Sequence, residues 1–120
     1  MPTDLTFRSG NNVSITATET SLAVNGGSTS LQTITSKGVY SVWIDGVANL
    51  VKGDEYRWRV YEKASTGATK RMVFNGTISD AQAEPVVIPH LMLGLGWDVT
   101  LQRISATSRA FHWSVRRLST

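Results

Sequence analysis

Glu55-Tyr56-Arg57-Trp58-Arg59-Val60-Tyr61-Glu62, followed after a short loop by Arg71-Met72-Val73-Phe74-Asn75-Gly76-Thr77-Ile78-Ser79, decides the fold. In the first run Tyr56, Trp58, Val60 and Glu62 share one face, the period-two signature of a half-buried strand. In the second, Met72, Phe74, Gly76 and Ile78 share a face. A hairpin centred on Gly67, within the loop Ala64-Ser65-Thr66-Gly67-Ala68, sets Val60 opposite Phe74, Trp58 opposite Gly76 and Tyr56 opposite Ile78. The apolar faces then coincide, and a slip by one residue would separate them. The same register lays an indole over a glycine, which covers the gap that a strand glycine leaves. Asn75-Gly76 resembles a tight turn, but the apolar phase continues through it, so it reads as strand interior with room for a bulge.

Working outward, the remaining chain repeats this texture. Strands are expected near 12–18, 21–24, 29–35, 39–45, 55–63, 70–79, 86–91, 97–104 and 109–117, separated by turn-forming stretches such as Ser36-Lys37-Gly38 and Val51-Lys52-Gly53-Asp54. Short strands at this spacing predict an all-β protein, a sandwich, jelly roll or barrel, and of these an antiparallel β-sandwich, jelly-roll-like, is expected. Trp97, Val99 and Leu101 share a face, as do Phe111, Trp113 and Val115, so the last two strands are expected to form another hairpin with its rings in the core. Residues 1–11 are expected to be a flexible polar N-terminal arm ahead of one sandwich domain over 12–120. More than half of the first thirty residues are Ser, Thr, Asn or Gly, with Phe7 the only aromatic, and such a composition buries little to offset its ordering.

At 120 residues the chain makes a single domain that needs no staples, and it contains no cysteine, which removes disulfides, thiolate metal sites and cysteine nucleophiles. The N-terminus lacks the basic and apolar regions of a signal peptide, and no apolar run is long enough to cross a bilayer as a helix, so a soluble product that stays in the cytoplasmic compartment where it is made, without membrane contact, is expected. Twelve Lys and Arg against nine Asp and Glu give a net charge of +3. The basic residues are spread along the strands instead of gathered in a patch, which argues against nucleic acid as the partner.

No motif carries catalysis, and no cofactor is implied. His90 and His112 are not at a metal-ligand spacing. The carboxylates Asp54, Glu55 and Asp98 offer a conceivable pair for glycoside hydrolysis, although a turn role for Asp54 and a strand-face role for Asp98 explain them as well. Leu93-Gly94-Leu95-Gly96-Trp97 lacks the lysine and helix of a phosphate loop. Trp58, Trp97 and Trp113 fall on the apolar phases of their strands. Trp43 does not: Tyr40, Val42 and Ile44 take the opposite face, so the strand from Val39 to Asp45 is apolar on both sides and either lies centrally in a sandwich or meets another subunit.

The segments Gly53-Asp54-Glu55-Tyr56-Arg57-Trp58-Arg59-Val60-Tyr61-Glu62-Lys63, Thr69-Lys70-Arg71-Met72-Val73-Phe74, Asp80-Ala81-Gln82-Ala83-Glu84-Pro85, Gly96-Trp97-Asp98-Val99-Thr100-Leu101 and Arg109-Ala110-Phe111-His112-Trp113-Ser114-Val115-Arg116 together resemble small virion-associated proteins of tailed bacteriophages. The resemblance covers roughly residues 37 to 118 and rests on a succession of β motifs. It implies a capsid decoration or cement protein on the exterior of the virion, bound to the major capsid protein and acting as a homo-oligomer, with a trimer favoured. In that reading Leu5, Phe7 and Arg8 of the arm, together with Trp43, are the expected partner contacts. The alternative is a carbohydrate-binding β-sandwich displayed on the virion, in which an exposed aromatic stacks on sugar rings; a small hydrolase is a more distant one.

Overall fold

Alternation along eight strands turns one phase of each toward a shared interior. The computed structural model describes residues 6–46, 49–80 and 84–118. It contains β1 (Thr6–Ile15), β2 (Thr20–Ser21), β3 (Gly38–Asp45), β4 (Glu55–Glu62), β5 (Arg71–Ser79), β6 (Val86–Leu93), β7 (Trp97–Ser105) and β8 (Arg109–Leu118). These form two antiparallel four-stranded sheets, in the orders β1-β8-β3-β6 and β2-β7-β4-β5. The sheets pack into the expected β-sandwich. Ile15, Tyr40, Val42, Ile44, Phe111 and Val115 of the first sheet meet Tyr56, Val60, Ile78, Trp97, Val99 and Leu101 of the second, all at most 1 % exposed. Every strand pair is antiparallel, and the pairs β1/β8, β2/β7, β3/β6 and β4/β5 are all present.

The β4–β5 hairpin has the register read from the sequence, with Val60 opposite Phe74, Trp58 opposite Gly76 and Tyr56 opposite Ile78. Asn75 and Gly76 lie inside β5, and the bulge falls at Val73, between the Val60 and Tyr61 pairings. An added Cβ on Gly76 would come within 2.4 Å of the Trp58 ring, so the indole occupies the glycine's empty side. Phe74 and Met72, expected to be covered, are 54 % and 48 % exposed. The reason is position: β5 is the outermost strand of its sheet, and no strand among the described residues flanks it there.

Four further expectations need correction. Residues 6–11, expected in a flexible arm, belong to β1 and pair with β8; residues 1–5 lie outside the described residues. Polar composition misleads here because a strand is held by its backbone. The Ser9 amide donates to Asn25 Oδ1 at 2.9 Å and the Ser9 carbonyl accepts from Gly26 at 2.9 Å. The segment 29–35 is not a strand. It crosses the sheet, bridging only at Ile34 to Trp97, and its Gln32 amide donates to Asp98 Oδ2 at 2.9 Å. In place of the strand expected over 21–24, β2 pairs with β7 at Thr20 and Ser21 alone, and the Leu22 amide adds one bond to the Val99 carbonyl at 2.7 Å. Finally, β7 and β8 are not a hairpin: β7 lies between β2 and β4, and β8 between β1 and β3 in the other sheet. Their apolar phases face each other across the core, and alternation alone does not distinguish that from side-by-side pairing.

Gly10 of β1 pairs with Trp113 of β8, and a Cβ there would sit 2.2 Å from the Trp113 ring. That ring cannot swing away freely, because its Nε1 donates to the Leu22 carbonyl at 3.0 Å in the interior. Gly→Ala inside a strand ordinarily gains about 0.5–1 kcal/mol. Here the sign should reverse: Gly10→Ala is expected to destabilise by about 1–3 kcal/mol through overpacking. In a double-mutant cycle read by urea unfolding, that cost should shrink in a Trp113→Ala background, where the clash is absent.

Candidate binding face

β3 is flanked on both sides, by β8 and β6, so its backbone is fully engaged and both phases of its side chains must be accommodated. Tyr40, Val42 and Ile44 point inward and are buried. Val39, Ser41, Trp43 and Asp45 point out of the sandwich, paired across the sheet with Arg116, Ser114 and His112 of β8 and with Met92 and Val87 of β6. Trp43 is half-buried, its Nε1 donates to Ser41 Oγ at 3.2 Å, and the Arg116 guanidinium lies 4.0 Å from the ring centroid. Arg116 is in turn held by Ser114 Oγ at 2.9 Å. Beside this stack runs a mainly apolar groove of about 350 Å³ bordered by Val39, Trp43, Val87, Pro89, His90 and Arg116. A second depression of about 230 Å³ on the other side of Trp43 is bordered by Asp45, Pro85, His112 and Ser114.

The wall on the β6 side is shaped by a bulge, in which Pro89 and His90 together oppose Ser41 and His90 adopts a φ of 59°. Proline is tolerated at such an edge because it has no ladder bond to donate there. Met92, farther along β6, is 80 % exposed. The outer face of the other sheet is built differently. Glu19 accepts from the hydroxyls of Tyr61 and Thr100 and lies 3.5 Å from Arg59, which donates to Gln102 at 2.7 Å. Burial, reinforced by Glu19, pushes the Tyr61 hydroxyl up to about 12. One outer face is closed by its own polar network, while the other presents an aromatic and aliphatic surface with a cation.

The expected contact residues do not come together. Trp43 is on the outer face of its sheet, as its phase required. Phe7 instead packs inward, 5.4 Å from the Tyr40 ring and 6.0 Å from Trp97, so it is a core residue and not a free anchor. Arg8 folds onto it, with its guanidinium 4.1 Å from the Phe7 centroid and Nη1 donating to the Phe7 carbonyl at 2.7 Å. Leu5 lies outside the described residues. Arg116 and the β6 bulge were missed, since only cross-strand register brings them to Trp43.

The carboxylates do not form a catalytic pair. Asp54 precedes the first residue of β4, whereas Asp98 pairs with Tyr61 near its far end, a separation of about 20 Å along the strand. Glycoside hydrolysis uses carboxyls roughly 5–9.5 Å apart. Each has a structural task. Asp98 is buried, accepts from Ser21 Oγ at 2.6 Å and from the Gln32 amide, and is pushed up by that burial. Asp54 accepts from the Val51 amide at 2.9 Å and pairs with Arg109 at 2.9 Å; the Val51 N–H foremost, then Arg109, hold it below the usual aspartate value. His112 Nδ1 accepts from the Asn12 amide at 3.1 Å, and no cluster of three or more His, Asp or Glu among the described residues is placed to hold a metal.

No family model, curated protein or solved structure matches the chain.

The two buried aspartates act in opposite senses on acid stability. A folded value below 3.8 means Asp54 stabilises the fold above that pH and ceases to do so as pH falls through the depressed value. A folded value above 3.8 means Asp98 favours the fold when protonated, and that advantage is lost as pH rises through the elevated value. Asp54→Asn should therefore lower the melting temperature at neutral pH and flatten its decline below pH 3.8, measured by thermal melts across the acid range.

Proposed function

We propose that this chain is a structural binding protein of a tailed-phage particle, a decoration or cement protein that docks on the outside of the capsid and reinforces contacts between major capsid protein subunits. The observation that carries the binding role is the contrast between the two outer sheet faces. Trp43 with Arg116, Val39, Val87, Pro89 and Met92 forms an aromatic, aliphatic and cationic surface of the composition that protein interfaces favour at their centres. The capsid attribution is supported by the sequence resemblance. Jelly-roll form belongs to the same reading: the pairs β1/β8, β2/β7, β3/β6 and β4/β5 are those made when one long hairpin of eight strands is rolled into a sandwich, an arrangement common among capsid domains. The proposed mode of action is bridging without catalysis. A copy that buries surface on neighbouring capsid subunits adds an interface that must break before the shell opens, and many copies on one shell multiply weak contacts. A homo-oligomer, with a trimer favoured, is part of this proposal.

A second reading has one observation in its favour. Trp43 stands partly exposed on a sheet face with Asp45, His112 and Ser114 nearby, the pairing of an aromatic platform with polar groups that suits a sugar ring. Arg116 already covers part of the ring, which favours a protein partner.

Trp43→Ala should leave the melting temperature nearly unchanged and weaken attachment to capsids lacking the protein by at least about tenfold, or ~1.4 kcal/mol per site. Cosedimentation with such particles measures this, and a glycan array on the wild-type protein checks the second reading. Undiminished occupancy at limiting concentration would move the contact away from this face, and saturable glycan binding lost in Trp43→Ala would favour the sugar reading.

A further inference from the structure

The four sheet edges are unequal. β2 is two residues long, β6 is interrupted at Pro89-His90, and β1 carries two register shifts. β5 runs nine residues without proline, with Arg71 its one charge and the bulge at Val73 its one irregularity. Among the described residues it pairs only with β4, so one side of its backbone has no ladder partner there. Residues 71–75 are all exposed, and Met72, Val73 and Phe74 are 48 %, 48 % and 54 % exposed. A long apolar edge of this kind accepts another strand unless something blocks it.

We propose that β5 pairs with β5 of a second copy, antiparallel about a two-fold axis at Asn75, so that the two β2-β7-β4-β5 sheets become one continuous sheet of eight strands. Two features select a second copy as the occupant. The first is charge. Lys70 and Arg71 begin the edge, and Ser79 and Asp80 end it. Antiparallel pairing about Asn75 sets Arg71 beside Ser79 and next to Asp80 of the second copy, at both ends of the contact, while the Lys70 ammonium is already held in its own copy, donating to the Gln32 carbonyl. Arg71 has no ion-pair partner among the described residues, whereas a parallel arrangement would stack it on its own copy. The second is shape. The same register places Phe74 opposite Gly76 of the second copy, both on the inward phase. Gly76 has no side chain to obstruct the ring, and the half-buried Trp58 indole lying over Gly76 offers it an aromatic surface. A two-fold contact uses the same edge on both copies and closes, leaving only the two-residue β2 at either rim of the joined sheet. This contact makes the homo-oligomer a two-fold dimer where the resemblance favours a trimer, and it does not depend on the capsid partner.

The chain has no cysteine, so Asn75→Cys introduces a single thiol. Directly opposed strand residues have Cβ atoms about 4.5–5.5 Å apart, and mild oxidation should link this variant into a disulfide dimer, whereas Ser30→Cys, on the crossing segment away from β5, should not cross-link. By analytical ultracentrifugation at micromolar concentration the wild-type protein should sediment as twice its 13.1 kDa chain mass. Val73→Lys, which sets a lysine on the free edge, should raise the dimer dissociation constant about tenfold or more with unchanged circular dichroism. A wild-type monomer, or an oligomer that Val73→Lys leaves intact and Asn75→Cys fails to cross-link, overturns the proposal. Where Val73→Lys fails to fold, the cross-link alone decides.

Discussion

Two indoles lie flat on two strand glycines, Trp58 on Gly76 and Trp113 on Gly10, and the registers of two edge strands depend on them. In each case a strand at the rim is set against its inner neighbour at the one position where a large ring can lie across the ladder. A slip by one residue would bring a side chain where the ring now lies and turn the strand's inward phase to solvent. The Trp113 contact extends further, because its Nε1 also holds the Leu22 carbonyl and so fastens the segment after β2 to the first sheet. A similar economy ties the opposite end. The Tyr56 hydroxyl donates to the Thr107 carbonyl at 2.9 Å and accepts from the Arg109 amide at 2.7 Å, joining the start of β4 to the turn that carries the chain between sheets.

Strand positions and inward residues were legible in the sequence wherever alternation was strong. The β4–β5 register was readable because two apolar pairs and the Trp58–Gly76 match admit one alignment. Sheet membership was not readable for β7 and β8, since inward phases that face each other across a core and inward phases side by side in one sheet leave the same pattern. The polar N-terminal segment misled for a related reason. β1 owes its place to main-chain pairing with β8 and to a glycine that receives Trp113, and neither registers as hydrophobicity. Segment 29–35 shows the converse, a run rich in β-forming residues that bridges the sheet only at Ile34.

The candidate face was half legible. Trp43 stood out as the aromatic on the wrong phase of an otherwise inward-facing strand. Its companions come from β8 and β6, far away in sequence, and only register assembles them. The functional consequence follows from asymmetry between the outer faces. Glu19, Tyr61, Thr100, Arg59 and Gln102 satisfy one another on one sheet, so that face offers a partner little that is unmet. The Trp43 face exposes apolar surface whose removal from water would favour association.

The most direct test of that assignment is hydroxyl-radical footprinting of the protein free and bound to phage heads. The account predicts that oxidation of Trp43 and Met92 falls sharply on the heads while Tyr61, on the polar outer face, reacts as it does in the free protein. Equal reactivity of Trp43 in both states, with protection appearing elsewhere on the surface, would contradict it.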